Sequence, residues 1–230
     1  MTTPVTFGDL AGEALAHLRQ PVPSPGQVED TAAALRAVAI ALTRHVAEAR
    51  ATLTSHASTN RARHAPWAQA ATQVSEALAS ATACLAAVPA DPSHTAQLGQ
   101  QDAAGSLRTA ATSITLARDL LATHLASRPD GTRTARTGSE WAPLVTSPQL
   151  AKALLYDLAG WARHAAAAAS QTAVTGTTRS AAARRDLATA SHRLWDLDDA
   201  VRTAHHREPV TLAEHQLLHA ISARHIPEPR

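Results

Sequence analysis

Two histidines near the end of the chain have a spacing that could bind a metal ion. His215 and His219 are four residues apart, beside Glu214, so on a helix both imidazoles would project from one face. His205 could approach them through the turn at Pro209. No Glu in the chain has a His three positions later, as di-iron bundles require. The pair is a candidate metal site, the alternative is a solvated polar face, and no cofactor is predicted.

Four arginines are candidate contacts to nucleic acid. Arg61 and Arg63 lie in a predicted turn, and Arg179 and Arg185 lie near the start of a predicted helix. Phosphate binding needs several cations on one face of a protein, and no stacking aromatic side chains accompany these four. The sequence therefore favours the alternative, in which they are solvated surface residues.

Three carboxylates stand close together beside Trp195: Asp196, Asp198 and Asp199. On a helix, Asp198 would lie one turn from Arg202, and Asp196 would lie one turn from Arg193. This spacing predicts a ladder of surface ion pairs rather than an acid–base site.

Motifs of catalysis and nucleotide binding are missing from the sequence. Cys84 is the only cysteine, and its place beside Leu85 predicts a small buried hydrophobe rather than a nucleophile. The Gly-rich stretch 131–139 lacks the Gly-Lys-Ser/Thr ending of a phosphate loop, and no Gly-x-Ser-x-Gly elbow occurs. These observations point away from an enzyme.

Trp141 differs from the other tryptophans because it lies in a stretch rich in Pro, Gly and Thr. One interpretation is an exposed aromatic anchor for a partner protein; the other is a lid that folds back onto the bundle. Trp67, Trp161 and Trp195 lie on or beside apolar seams, so we predict that they pack in the core.

The apolar residues recur with helical periodicity. Hydrophobic residues make up 45% of the 230 residues but aromatic residues only 3%, and the abundant Ala favours helices that approach closely. Two stretches, 67–88 and 183–204, repeat apolar residues at alternating steps of three and four. We expect the seam leucines to be buried: Leu78, Leu85, Leu194 and Leu197.

Turn and cap residues divide the chain into helices. Further helices are expected at 6–19 and 107–125, and between a Ser24 cap and about His56. Pro66 is predicted to start the helix that carries the first seam. Ser147 caps a helix that ends at Gly176, and Thr211 with Glu214 forms a capping box for the last one.

These elements predict an all-α fold, an antiparallel bundle of six or seven amphipathic helices arranged as one bundle or two packed subdomains. The subdomains would be residues 1–127 and 147–230, joined by a linker at 128–146. The long apolar seams either all face inward, or one helix face is completed by a partner chain.

The predicted function is a non-catalytic helical module that binds another protein or a copy of itself. The alternatives are a nucleic-acid-associated protein that uses the arginines and a helical-bundle enzyme that uses a His-bound metal. The formal net charge is +2, no run of roughly 20 apolar residues could span a membrane, and no secretory leader is visible. We therefore expect a cytoplasmic location and no membrane contact.

Overall fold

The computed structural model describes residues 26–59, 61–89 and 147–225, together with Leu18, Val22 and Val145. This part of the chain forms five helices and no β-strand, which confirms the all-α prediction. The helices are α1 (Val28–Thr59), α2 (Arg61–Ala87), α3 (Pro148–Thr175), α4 (Ala181–Arg207) and α5 (Leu212–His225). The helices predicted at 6–19 and 107–125 and nearly all of the linker at 128–146 lie outside the described residues, so the count of six or seven stays a prediction.

Local side-chain caps start the last three helices. The Ser147 hydroxyl accepts a hydrogen bond from the Leu150 N–H at 3.2 Å, as predicted for α3. Ser180 caps α4 in the same way. At α5 the predicted capping box is complete, because the Thr211 N–H donates to Glu214 at 2.7 Å and the Glu214 N–H donates back to the Thr211 hydroxyl at 3.3 Å.

Two predicted helix starts are wrong. Helix α1 begins at Val28 rather than at a Ser24 cap, because Gln27 instead pairs with Thr177 in an isolated bridge. Helix α2 begins at Arg61 and contains Pro66, so residues 61–65 are not a turn. Pro66 lies in the second turn of α2, where its missing N–H removes one intrahelical hydrogen bond.

The turn between α3 and α4 is held by a clasp of backbone contacts. The Val28 N–H donates to the Thr177 carbonyl at 3.1 Å, which fixes the start of α1 against this turn. The Arg184 guanidinium donates to the carbonyls of Ala173, Val174 and Gly176, at the end of α3. Arg184 therefore satisfies carbonyls that the end of a helix leaves without partners.

Helices α1 to α4 form a ring in which α1 and α4 each pack against both α2 and α3. Helices α1 and α3 run antiparallel, since the start of α1 meets Thr177 and its later residue Thr52 donates to the Val145 carbonyl at 3.0 Å. Among the described elements, α5 packs only on α3. No helix of the described residues is long and apolar enough to cross a membrane.

Both predicted seams face the interior of this ring. Leu78, Leu85, Leu194 and Leu197 are all buried, which confirms the prediction for them. One hydrophobic core contains residues of α1 and α2 together with residues of α3, α4 and α5. These two seams are therefore covered within the chain, and a partner would have to use other surfaces.

Candidate functional site

The predicted metal ligand His215 lies where α5 docks on α3. Its Nδ1 is 3.4 Å from a carboxylate oxygen of Asp157, and its ring packs edge-on against Tyr156 with centroids 5.1 Å apart. His205, at the end of α4, packs on the same tyrosine at 4.5 Å. The turn at Pro209 thus brings His205 and His215 to one place, with Tyr156 contacting both rings.

The hydrogen bonding of His205 is that of a packing residue rather than a metal ligand. Its Nδ1 accepts from the Val210 N–H at 3.1 Å, so the neutral ring carries its proton on Nε2 and has no lone pair left for a metal. The His219 side chain lies outside the described residues. Among the described residues, no group of three or more His, Cys, Asp or Glu could hold a metal ion. The metal site at His215 and His219 stays a prediction.

The other predicted site residues are dispersed or lie outside the described residues. Arg61 and Arg63 begin α2, but their side chains are not described. Arg179 and Arg185 are exposed, one in the turn before α4 and one in its first turns. Trp141 also lies outside the described residues, so its role as a partner anchor stays a prediction.

A cluster of polar contacts joins three elements at the same end of the bundle as His205. The Lys152 ammonium, buried on α3, pairs with the Glu208 carboxylate just after α4. The indole N–H of Trp67 on α2 donates to the Glu208 carbonyl at 2.9 Å. Since the charges of Lys152 and Glu208 and the indole of Trp67 are all paired within the fold, we interpret this cluster as structural.

An open groove of about 490 Å³ runs between α2 and α4. Its walls carry both signs of charge together with amide side chains: Gln69, Gln73, Glu76, Arg193, Asp196 and Arg207. Arg193 and Asp196 form the predicted ion pair at 3.1 Å. A groove of such mixed polarity does not select one class of ligand.

The most distinctive polar arrangement is built on Asp198 of α4, whose side chain is only 3% exposed. Arg163 of α3 donates to it through Nη2 at 3.1 Å and through Nε at 3.3 Å. Arg202, one turn further along α4, forms the predicted ion pair, with its Nε 2.9 Å from a carboxylate oxygen of Asp198. The hydrogen bonds to Asp198 raise the pKa of Arg163 above its ordinary value. One buried carboxylate thus fixes two guanidinium groups that still reach the surface.

Two exposed aromatic side chains lie at helical spacing from the Asp198 ion pairs, Trp195 on α4 and Tyr156 on α3. Trp195, which precedes Asp198 by one turn, is 42% exposed, so the prediction that it packs in the core is wrong. It follows the seam residue Leu194, and one position on a helix turns a side chain by about 100°. Tyr156, seven residues before Arg163, is 36% exposed. We call the surface formed by Tyr156, Gly160, Arg163, Trp195 and Arg202 the α3–α4 face.

The sequence had paired Asp198 with Arg202 but gave no indication of Arg163. The two partners are 35 positions apart, and local spacing reveals only neighbours three or four apart. Comparison with known proteins finds no matching family model, no matching curated protein and no matching solved structure.

Proposed function

We propose that this protein is a helical interaction module that binds a partner protein through the α3–α4 face. The observation that carries the proposal is the exposure of Trp195 on the same stripe of α4 as Arg202 and as the buried Asp198, which pairs with both Arg163 and Arg202. Trp, Tyr and Arg are the residues that most often dominate the binding energy of protein interfaces.

The arrangement of the arginines supports binding rather than stability alone. A surface ion pair contributes little to folding, whereas an immobilised guanidinium loses less side-chain entropy when a partner docks on it. Asp198 immobilises Arg163 and Arg202 together, although neither guanidinium is buried. Trp141 remains a second candidate anchor for the same function.

Comparative affinity purification tests the proposal. Wild-type protein, Trp195→Ala and a control variant, Val174→Ala, are immobilised and exposed to native cell extract. Val174 is 75% exposed near the end of α3, so its truncation removes apolar surface away from the α3–α4 face. We expect proteins captured by the wild type and by Val174→Ala to be lost with Trp195→Ala.

The captured protein is then purified and its affinity measured by calorimetry. Removing a central Trp should weaken binding by roughly 30-fold or more, as at other interface hot spots. Capture that survives Trp195→Ala, or no specific capture by the wild type, would remove the support for the proposal.

A further inference from the structure

We propose that the partner presents a carboxylate-bearing segment that crosses α3 at Gly160 and places an Asp or Glu side chain between Arg163 and Arg202. This inference rests on the proposed function, and it specifies the chemistry of the surface that the α3–α4 face would recognise.

The α3–α4 face carries a net positive charge that such a group would neutralise. Asp198 supplies one negative charge to two guanidinium groups, which leaves a net charge of +1 at this point. Arg163 uses Nε and Nη2, and Arg202 uses Nε, to bind Asp198. Within the described part of the chain, the remaining N–H groups of both arginines are left for a second carboxylate, the acceptor that guanidinium groups bind best.

Gly160 provides a second feature of this face, which is open space beside the backbone of α3. It lies in the interior of α3, where Gly is less favourable than Ala. Among the described residues, a Cβ atom at Gly160 would meet no heavy atom within 4 Å beyond its own turn of helix, so their packing does not require a glycine there. The spacing of Tyr156, Gly160 and Arg163 places all three on one stripe of α3. The missing side chain therefore leaves a shallow depression between the Tyr156 ring and the Arg163 guanidinium, where a partner backbone can come close.

The surroundings favour a single carboxylate over a polyanion or a second copy of this chain. Nucleic acid presents a continuous line of phosphates and is bound by several clustered cations, whereas the two arginines and Asp198 leave one uncompensated positive charge on this face. A two-fold dimer through this face would bring like-charged arginine pairs together. A short acidic segment supplies a single negative charge and avoids this repulsion.

The test uses the full-length protein labelled with ¹⁵N and two capped pentapeptides, acetyl-Ala-Leu-Glu-Leu-Ala-amide and its Gln counterpart. The indole N–H resonance of Trp195 is assigned from its absence in Trp195→Phe. We expect the Glu peptide at millimolar concentration to shift this resonance and the Nε resonances of Arg163 and Arg202. The Gln peptide should bind at least about fivefold more weakly, since it lacks the charge.

The variant Gly160→Ala is expected to change binding and stability in opposite directions. Since Ala is the better helix former and the added methyl meets open space, this variant should raise Tm by about 2 °C. It should at the same time weaken Glu-peptide binding at least about fivefold, because the methyl group fills the depression beside Gly160. Arg202→Gln should also weaken binding, whereas the matched control Arg185→Gln, exposed elsewhere on α4, should not.

Several results would overturn the inference: equal binding of the two peptides, no shift with either, unchanged binding by Gly160→Ala, concentration-dependent self-association through this face, or tighter binding of a short DNA duplex. Failure of the proposed function is a different result, namely protein capture that does not depend on Trp195. If capture requires Trp195 but is unaffected by Gly160→Ala and Arg202→Gln, the α3–α4 face binds a partner and the assigned carboxylate chemistry is wrong.

Discussion

Two buried titratable side chains, Asp198 and His45, differ in their partners. Asp198 forms ion pairs with two guanidinium groups. His45, 2% exposed on α1, has no hydrogen-bond partner for Nδ1 among the described residues. Loss of solvation lowers the pKa of His45 to about 4, Glu48 opposes this shift, and Arg44 adds to it. His45 is therefore neutral in the folded protein across the physiological pH range.

The depressed pKa of His45 makes stability depend on pH. An unfolded His binds its proton near pH 6.5, but the folded His45 does so only near pH 4. The unfolded state thus holds more protons between these values, and the free energy of unfolding falls as the pH drops from 6.5 to 4. The total loss from this residue is about 3 kcal/mol. This contribution to the free energy of unfolding is fully present above pH 6.5, so the protein should be more stable at neutral pH than in acid.

Denaturant titrations at pH 7.5 and pH 4.5 check this expectation on the wild type and on His45→Leu. The wild type should lose about 2–3 kcal/mol more than His45→Leu over this interval. His206 is exposed at the end of α4, so the control His206→Leu should keep the pH dependence of the wild type. An identical pH dependence of the wild type and His45→Leu would show that His45 does not resist protonation in the folded state.

At the level of helices, we expect substitution by Ala to have opposite effects on stability at Gly176, which follows α3, and at Gly160, in the middle of α3. A Cβ atom at Gly176 would lie 2.5 Å from the Thr172 carbonyl oxygen and 2.7 Å from the Gly26 carbonyl oxygen. Both are backbone atoms, so the clasp between α1 and the α3–α4 turn would have to open. We expect Gly176→Ala to cost about 1–3 kcal/mol, as overpacking does.

Gly160→Ala, in the middle of α3, should instead stabilise the protein by about 0.5–1 kcal/mol. Urea titrations of both variants measure the two effects on the free energy of unfolding. Destabilisation by both substitutions would mean that the space beside Gly160 is filled in solution.

Local signals explain which elements the sequence predicted correctly. The seams of α2 and α4 and the caps at Ser147 and Thr211 depend on residues a few positions apart, and all of them occur as predicted. The start of α2 was misplaced because Pro is favoured at the first helical position but also tolerated in an early turn, as at Pro66. The clasp at Thr177 involves residues distant in sequence, and no local pattern reports it.

The candidate site was less predictable than the helices for the same reason. Of its central contacts, only the pair of Asp198 and Arg202 has helical spacing. Arg163 reaches Asp198 across the interface between α3 and α4, and the exposure of Trp195 follows from a rotation of one residue from the seam. Sequence periodicity gives the position of Trp195 beside the seam, but it does not give the relative rotation of α3 and α4 that brings Arg163 to Asp198.

At the level of the whole molecule, the hydrophobic core joins helices that are far apart in sequence. Helix α2 packs mainly on α1 and α4, and α4 packs mainly on α2 and α3. Leu78 of α2 and Leu194 of α4 belong to the same core cluster. The buried faces of α3 and α4 are thus covered in part by α1 and α2, so the described helices should gain or lose their structure together.

This shared core predicts a single cooperative unfolding transition, although the sequence allowed two subdomains divided by residues 128–146. Leu78→Ala and Leu194→Ala each remove a buried side chain and should each cost about 2–5 kcal/mol. Because both leucines lie in one core, each substitution should lower the midpoint of the same transition. Helical circular dichroism and tryptophan fluorescence should then give coincident guanidinium curves for the wild type and both variants. Two transitions, with Leu78→Ala moving one and Leu194→Ala moving the other, would show instead that the chain folds as two independent halves.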